Sequence, residues 1–195
     1  MRAFHQTVKS DELVINKSKF FGFVLLGESR KDFLIAINNL SKQLLTCDHI
    51  AFAYRIKTKQ SVDAYYNDAG EPSGTAGKPL LNILQMQNIV NSGLAVARFY
   101  GGINLGTGGL ARAYTKAGML AFNKAKFTPF IDYFEYKLLI KYNMLENISN
   151  VINKNKGSII EKYFDENITL KVKLTKEAFS EITNAFPMIT IEPLH

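Results

Sequence analysis

The chain has 195 residues, 47% of them hydrophobic and 21% charged, with one cysteine and a formal net charge of +7. That is ample for one full core or two small ones. A lone Cys47 excludes an internal disulfide, no stretch has the 18 or more apolar residues of a membrane span, and charge is scattered through "MRAFHQTVKSDELVINKSKF" where a signal peptide would be apolar. A cytoplasmic protein without a membrane anchor is the expectation.

In chain order, "ELVIN" and "FFGFVLL" predict short strands around "KSK". "SRKDFLIAINNLSKQLL" predicts a helix with Ser29 as N-cap and Asp32 three residues on. Its apolar residues Phe33, Ile37, Leu40 and Leu44 keep helical spacing. "HIAFAYRI" and "SVDAYY" predict a strand pair. A loop "NDAGEPSGTAGKP", a short helix over "LLNILQMQN", a buried strand "LAVARFY" and a longer helix from about Gly109 to Lys124 follow. A division near residue 127 is expected, giving domains 1–127 and 128–195. In the tail, "DYFEYKLLI" alternates as a strand, "NMLENISNVINK" carries an Asn143/Glu146 capping pair, and "GSIIEKYF" and "NITLKVKL" flank a tight turn. "TKEAFSEITNAF" is a helix capped by Thr175, and "MITIE" is a last strand. That order predicts a ferredoxin-like unit and an α+β protein overall.

Charge separates the two parts. Residues 1–127 carry 16 Lys and Arg against 8 Asp and Glu, whereas residues 128–195 carry 8 against 9. Between Glu71 and Asp132 there is no carboxylate, while Lys78, Arg98, Arg112, Lys116, Lys124 and Lys126 fall there. Within this stretch, "RFYGGINLGTGGLARAY" places five glycines, Gly101, Gly102, Gly106, Gly108 and Gly109, in nine residues. Glycines before a helix bare its unpaired N–H groups and positive dipole end, a setting that suits phosphate or carboxylate.

Alternatives are weaker. "GTGGLA" matches G-x-G-x-x-A at 106–111, but "GGINL" separates it from the strand and Lys126 stands where a dinucleotide site wants an acid. "EPSGTAGKP" fails as a phosphate-binding P-loop, with Pro72 and Pro79 in the key places. His5 and His195 lie near the ends, Cys47 and His49 have no partners at metal-ligand spacing, and Asp63, Asp68 and Glu71 suit turns. Tyr54, Tyr65, Tyr66, Phe99, Tyr100 and Tyr114 could stack bases or fill the core. No metal, cofactor or catalytic residue is assigned.

Together, "KSKFFGFV", "DHIAFAYRI", "DAGEPSGTAGKPLL" and "ARFYGGINLGTGGLARAY" resemble the signature blocks of the IMPACT family, in its bacterial YigZ type, over nearly the whole chain. The matching positions are His49, Glu71, Pro72, Gly74, Thr75, Gly77, Lys78 and Pro79, then Arg98, Tyr100, Gly101, Gly102, Leu105, Gly106, Thr107, Gly108 and Gly109. Asn67 and Ala69 depart from the pattern. The resemblance implies an N-terminal α/β sandwich like the second domain of ribosomal protein five. It also implies a ferredoxin-like tail resembling a late domain of elongation factor G, and a tie to translation or nucleic acid. Eukaryotic relatives are linked to translational control under amino-acid starvation.

The expected function is a non-enzymatic module binding RNA, the ribosome or another anionic partner through Lys78, Arg98, Gly101, Gly102, Asn104, Gly106, Thr107, Gly108, Gly109 and Arg112. His49, Glu71, Gly74, Thr75 and Gly77 form a second loop. A protein-docking adaptor and an enzyme for a phosphorylated small molecule or nucleotide are the alternatives. Oligomeric state is left open.

Overall fold

Alternation of side chains along three long strands organises the first half of the chain. The computed structural model describes residues 1–194, so His195 lies outside the described residues. Two compact units succeed one another, Met1–Phe130 and Ile131–His195. The first contains β1 (Arg2–Phe4), β2 (Val8–Lys9), β3 (Leu13–Ile15), β4 (Ser18–Leu26), α1 (Arg30–Gln43), β5 (His49–Lys57) and β6 (Val62–Asn67). Then come α2 (Gly77–Met86), β7 (Ser92–Phe99), α3 (Gly106–Lys124) and β8 (Phe127–Pro129).

Its main sheet runs β2-β4-β7-β5-β6, with β3 also paired to β4, and every pairing is antiparallel. Successive side chains point to opposite faces, so each strand supplies two cores. Phe20 and Val24, Ala51 and Ala53, and Leu94 and Val96 pack with Leu80 and Leu84 of α2 and Ala113, Tyr114, Ala117 and Ala121 of α3. Phe23, Leu25, Phe52, Tyr54, Ala95 and Ala97 pack instead with Phe33 of α1. The result is a sheet sandwiched by helices, and a strand buried on both faces has the nearly continuous apolar run seen in "SGLAVARF".

Local chemistry sets the element ends. The Ser29 hydroxyl accepts from the Asp32 N–H at 3.3 Å while the Asp32 carboxylate accepts from the Ser29 N–H at 2.9 Å, a reciprocal capping box. Asn16 and Lys17, both at positive φ (45° and 63°), form the two-residue turn between β3 and β4. β8 pairs with β1, and Phe127 packs on the larger core, so residues 127–129 stay with the first unit.

The second unit holds β9 (Phe134–Ile140), a 3-10 turn (Tyr142–Met144), α4 (Leu145–Lys154), β10 (Ser158–Phe164), β11 (Ile168–Leu174), α5 (Lys176–Ala185) and β12 (Thr190–Pro193). Its antiparallel order is β10-β11-β9-β12, the ferredoxin-like arrangement. Leu138, Ile140, Ile168, Leu170, Val172 and Leu174 meet Ile148, Ile152, Ala178 and Ile182 of the two helices. Thr175 caps α5 by accepting from the Ala178 N–H at 3.1 Å. The expected Asn143/Glu146 cap does not form: the 3-10 turn takes residues 142–144, and α4 starts after Met144 without a side-chain cap. Among the described residues, no helix is long and apolar enough to cross a membrane.

The seat of α3 depends on a missing side chain. A methyl at Gly22 of β4 would lie 2.3 Å from the Ala117 carbonyl oxygen and 3.0 Å from the Ala121 Cβ. Gly22→Ala is expected to lose about 1–3 kcal/mol in urea unfolding as helix and sheet are pushed apart; an unchanged midpoint would contradict this packing.

Candidate functional site

β7 delivers Arg98 to the same sheet face as Leu94 and Val96, under α3, and there the residue is 4% exposed. It donates to Glu71 Oε1 at 2.7 Å and to Ser18 Oγ at 3.4 Å. Tyr114 of α3 donates its hydroxyl to the same Glu71 oxygen at 2.7 Å. Burial, then the carboxylate beside it, pushes the Tyr114 hydroxyl well up, so it stays protonated as a donor. Arg98, expected at the anion surface, and Glu71, expected in the second loop, are therefore spent on each other inside the unit. Alternation is the signal that places Arg98: residues 94, 96 and 98 share one side.

The second glycine loop is also committed to the fold. The Asp68 carboxylate accepts from the N–H groups of Gly74 at 2.8 Å, Ala76 at 2.9 Å and Gly77 at 2.8 Å, so the start of α2 already holds an anion of its own. Burial by itself would raise the Asp68 pKa, but backbone donors from Gly74, Ala76, Gly77 and Lys78 hold it below the ordinary value of 3.8. Thr75 donates to the Pro72 carbonyl at 2.6 Å, and His49 Nδ1 lies 2.8 Å from the Ala69 carbonyl oxygen. Gly74, Thr75, Gly77 and His49 thus build the turn, and Lys78 is the exposed cation beside it.

The block at 101–109 is different. Gly101 donates to Ser18 Oγ at 3.1 Å and lies so close to the β3–β4 turn that a Cβ would fall 2.1 Å from the Lys17 carbonyl carbon. This contact brings Lys17, exposed and unsuspected from the sequence, to the foot of the loop. Gly102 (φ 82°) and Gly106 (φ 67°) have open space where side chains would be. α3 begins at Gly106, earlier than the expected Gly109, with Leu105 at its N-cap, no side-chain cap and no acid in its first turn. Among the described residues, no side chain or loop carbonyl takes a bond from the N–H groups of residues 106–108, and all three residues are exposed. Arg112 Nη1 lies 3.5 Å from where a Gly108 Cβ would be. The fold returns one carboxylate to this block: Asp48 Oδ2 accepts the Tyr100 N–H at 2.7 Å. Asn104 accepts the Tyr100 hydroxyl at 3.0 Å.

Cys47 donates to the carbonyls of His49 (3.1 Å) and Arg98 (3.4 Å), and burial pushes its thiol up, away from nucleophilic character. No group of three or more His, Cys, Asp or Glu able to hold a metal occurs among the described residues. The open sheet face of the second unit interleaves Lys137, Lys171 and Lys173 with Glu135, Glu161 and Glu192, including Lys173–Glu135 at 3.7 Å and Lys171–Glu161 at 4.0 Å. It balances its own charge, so the positive field belongs to the first unit.

Residues 16–122 match the family model of the Impact N-terminal domain. The chain is 31% identical over 181 residues to the IMPACT family member YvyE of Bacillus subtilis (strain 168), covering 90% of this chain and 78% of that one. It is 34% identical over 121 residues to the IMPACT family member YigZ of Escherichia coli (strain K12), covering 60% and 58%. The crystal structure of a hypothetical protein superposes with a TM-score of 0.71 over 100% of this chain and 97% of the other, at 24% identity, a likeness of fold.

Two outcomes follow from the carboxylates of Glu71 and Asp68. Glu71→Ala strands the Arg98 charge and is expected to cost about 3–5 kcal/mol, while Glu71→Leu with Arg98→Met costs less than that single change; urea unfolding of both variants checks this. Asp68 has a lowered folded-state pKa, so its stabilisation is full above the ordinary carboxylate range and is lost as pH falls through the lowered value. Asp68→Asn is therefore expected to flatten the acid limb of the stability profile measured from about pH 6 to about pH 2.

Proposed function

The chain belongs to the IMPACT family, and from that premise we propose that its first unit is a translation-associated binding module gripping RNA phosphates, free or within the ribosome, at the open start of α3. One observation carries this reading. Of two glycine-rich helix starts in the unit, that of α2 is filled by Asp68, whereas that of α3 is exposed and uncapped, with Arg112 beside it and the exposed Lys17 in the turn that carries Gly101 at the foot of the loop. Unpaired N–H groups at a positive dipole end favour an anion, and nearby cations add an attraction that does not depend on sequence. The absence of any carboxylate between Glu71 and Asp132 leaves little local opposition along the chain.

Binding fits the side chains better than catalysis does. Glu71 and Tyr114 are bonded to each other, Asp68 is held by amides, and the half-buried Cys47 is held toward its neutral thiol. None is poised as a base or nucleophile beside the loop. The family's link to translation, and the module's positive charge, favour RNA as the anion.

Titration with RNA over a series of salt concentrations is expected to show affinity falling steeply with salt, and Lys17→Gln or Arg112→Gln is expected to lower the logarithmic slope by about 1 each. Thr107→Glu puts a carboxylate in the first turn of α3. Stability should hold or rise by about 0.3–1 kcal/mol, while RNA affinity falls by about tenfold or more, ~1.4 kcal/mol. Binding indifferent to salt and to Thr107→Glu would contradict the reading.

A further inference from the structure

We infer that Tyr100 is a stacking platform for an unpaired base, so that the surface takes single-stranded RNA in preference to duplex; this rests on the RNA reading above. Tyr100 is 43% exposed and belongs to none of the hydrophobic clusters, yet it is tightly held. Its N–H donates to Asp48 at 2.7 Å and its hydroxyl to Asn104 at 3.0 Å. The Arg98 guanidinium lies against one face of the ring, 5.0 Å from its centroid, and is itself fixed by Glu71 from within the unit. The backbone is tied, the polar tip is satisfied and one face rests on a buried cation, yet the residue keeps 43% of its surface open to a partner.

An aromatic side chain ordered in this way has already lost the freedom that stacking would otherwise cost. The core does not need it, because the sheet beneath is filled by Phe20, Val96 and Tyr114. Its place favours a nucleotide: the ring is bonded to Asn104, two residues before the uncapped start of α3, and Gly101 next to it rests on the turn carrying Lys17. A single strand offers both complements at once, a base face for the ring and phosphates for the amides and cations. In a duplex the base faces are buried against one another, and the ring finds no partner. Every base has such a face, so little sequence preference is expected.

Fluorescence anisotropy on the full chain tests this with a short labelled RNA of mixed sequence, the same strand annealed to its complement, and the same strand carrying abasic sites. Tyr100→Ala is expected to weaken the intact single strand by about 5- to 150-fold and the abasic strand by less than about twofold, whereas Tyr100→Phe stays within about threefold of the parent. Tyr100→Leu, which keeps apolar bulk, should behave as Tyr100→Ala does, and thermal unfolding of each variant checks that the fold is intact. Equal losses on intact and abasic strands, no loss in Tyr100→Ala, or duplex binding as tight as single strand would each overturn the platform. If salt-sensitive binding survives while indifferent to Tyr100, the platform falls and the basic surface stands. If the parent binds no RNA at low salt, both fall.

Discussion

The buried pair of Glu71 and Arg98, with Tyr114 on the same carboxylate oxygen, ties together the two glycine-rich segments and α3. Such a pair adds little net stability over an apolar replacement, because desolvating both charges offsets their attraction. Its value is positional. Glu71 lies in the loop after β6, Arg98 is the penultimate residue of β7, and Tyr114 lies two turns into α3, so one oxygen fixes how the loop at 101–109 leaves the sheet. The same network removes a carboxylate from the surface and braces Tyr100 from below.

Two helix starts with similar glycine chemistry have opposite fates. At α2, Asp68 gathers three amides, and Gly77 packs so close to Asn67 that a Cβ would lie 2.5 Å from its carbonyl oxygen. At α3 the glycines at 102 and 106 face open space, and the first turn lacks both cap and acid. The first amides of a helix that no side chain caps are left to water or to a ligand, and an anion suits them best. An exposed, cation-flanked and uncapped start therefore has an anion as its natural complement. The neutral, self-paired sheet face of the second unit provides no comparable field.

Much of the fold was legible because its signals are local. The alternation in β4, β5 and β7, the Ser29 capping box, the Thr175 cap and the ferredoxin-like order of the tail all lie within short windows. The strands β1, β2 and β8 were not legible, since two or three residues become a strand only through a partner far along the chain. The site divides in the same way. The glycine block and Arg112 stand out from composition. The roles of Arg98, Asp68 and Lys17 depend on contacts across many residues: Arg98 needs Glu71, Asp68 needs the start of α2, and Lys17 reaches the loop only through Gly101. Asn143 and Glu146 had the spacing of a cap, but a 3-10 turn takes Asn143, so α4 starts after Met144 with Glu146 already in its first turn.

The central claim is that the amides opening α3 are held ready for phosphate while those opening α2 are not. Backbone amide NMR during titration with inorganic phosphate and then a short single-stranded RNA tests it most directly. The account predicts saturable shifts at Gly106, Thr107, Gly108 and Gly109, with the amides of Gly74 and Gly77 unmoved. Shifts confined to the second unit, or an α3 start as silent as the α2 start, would contradict it.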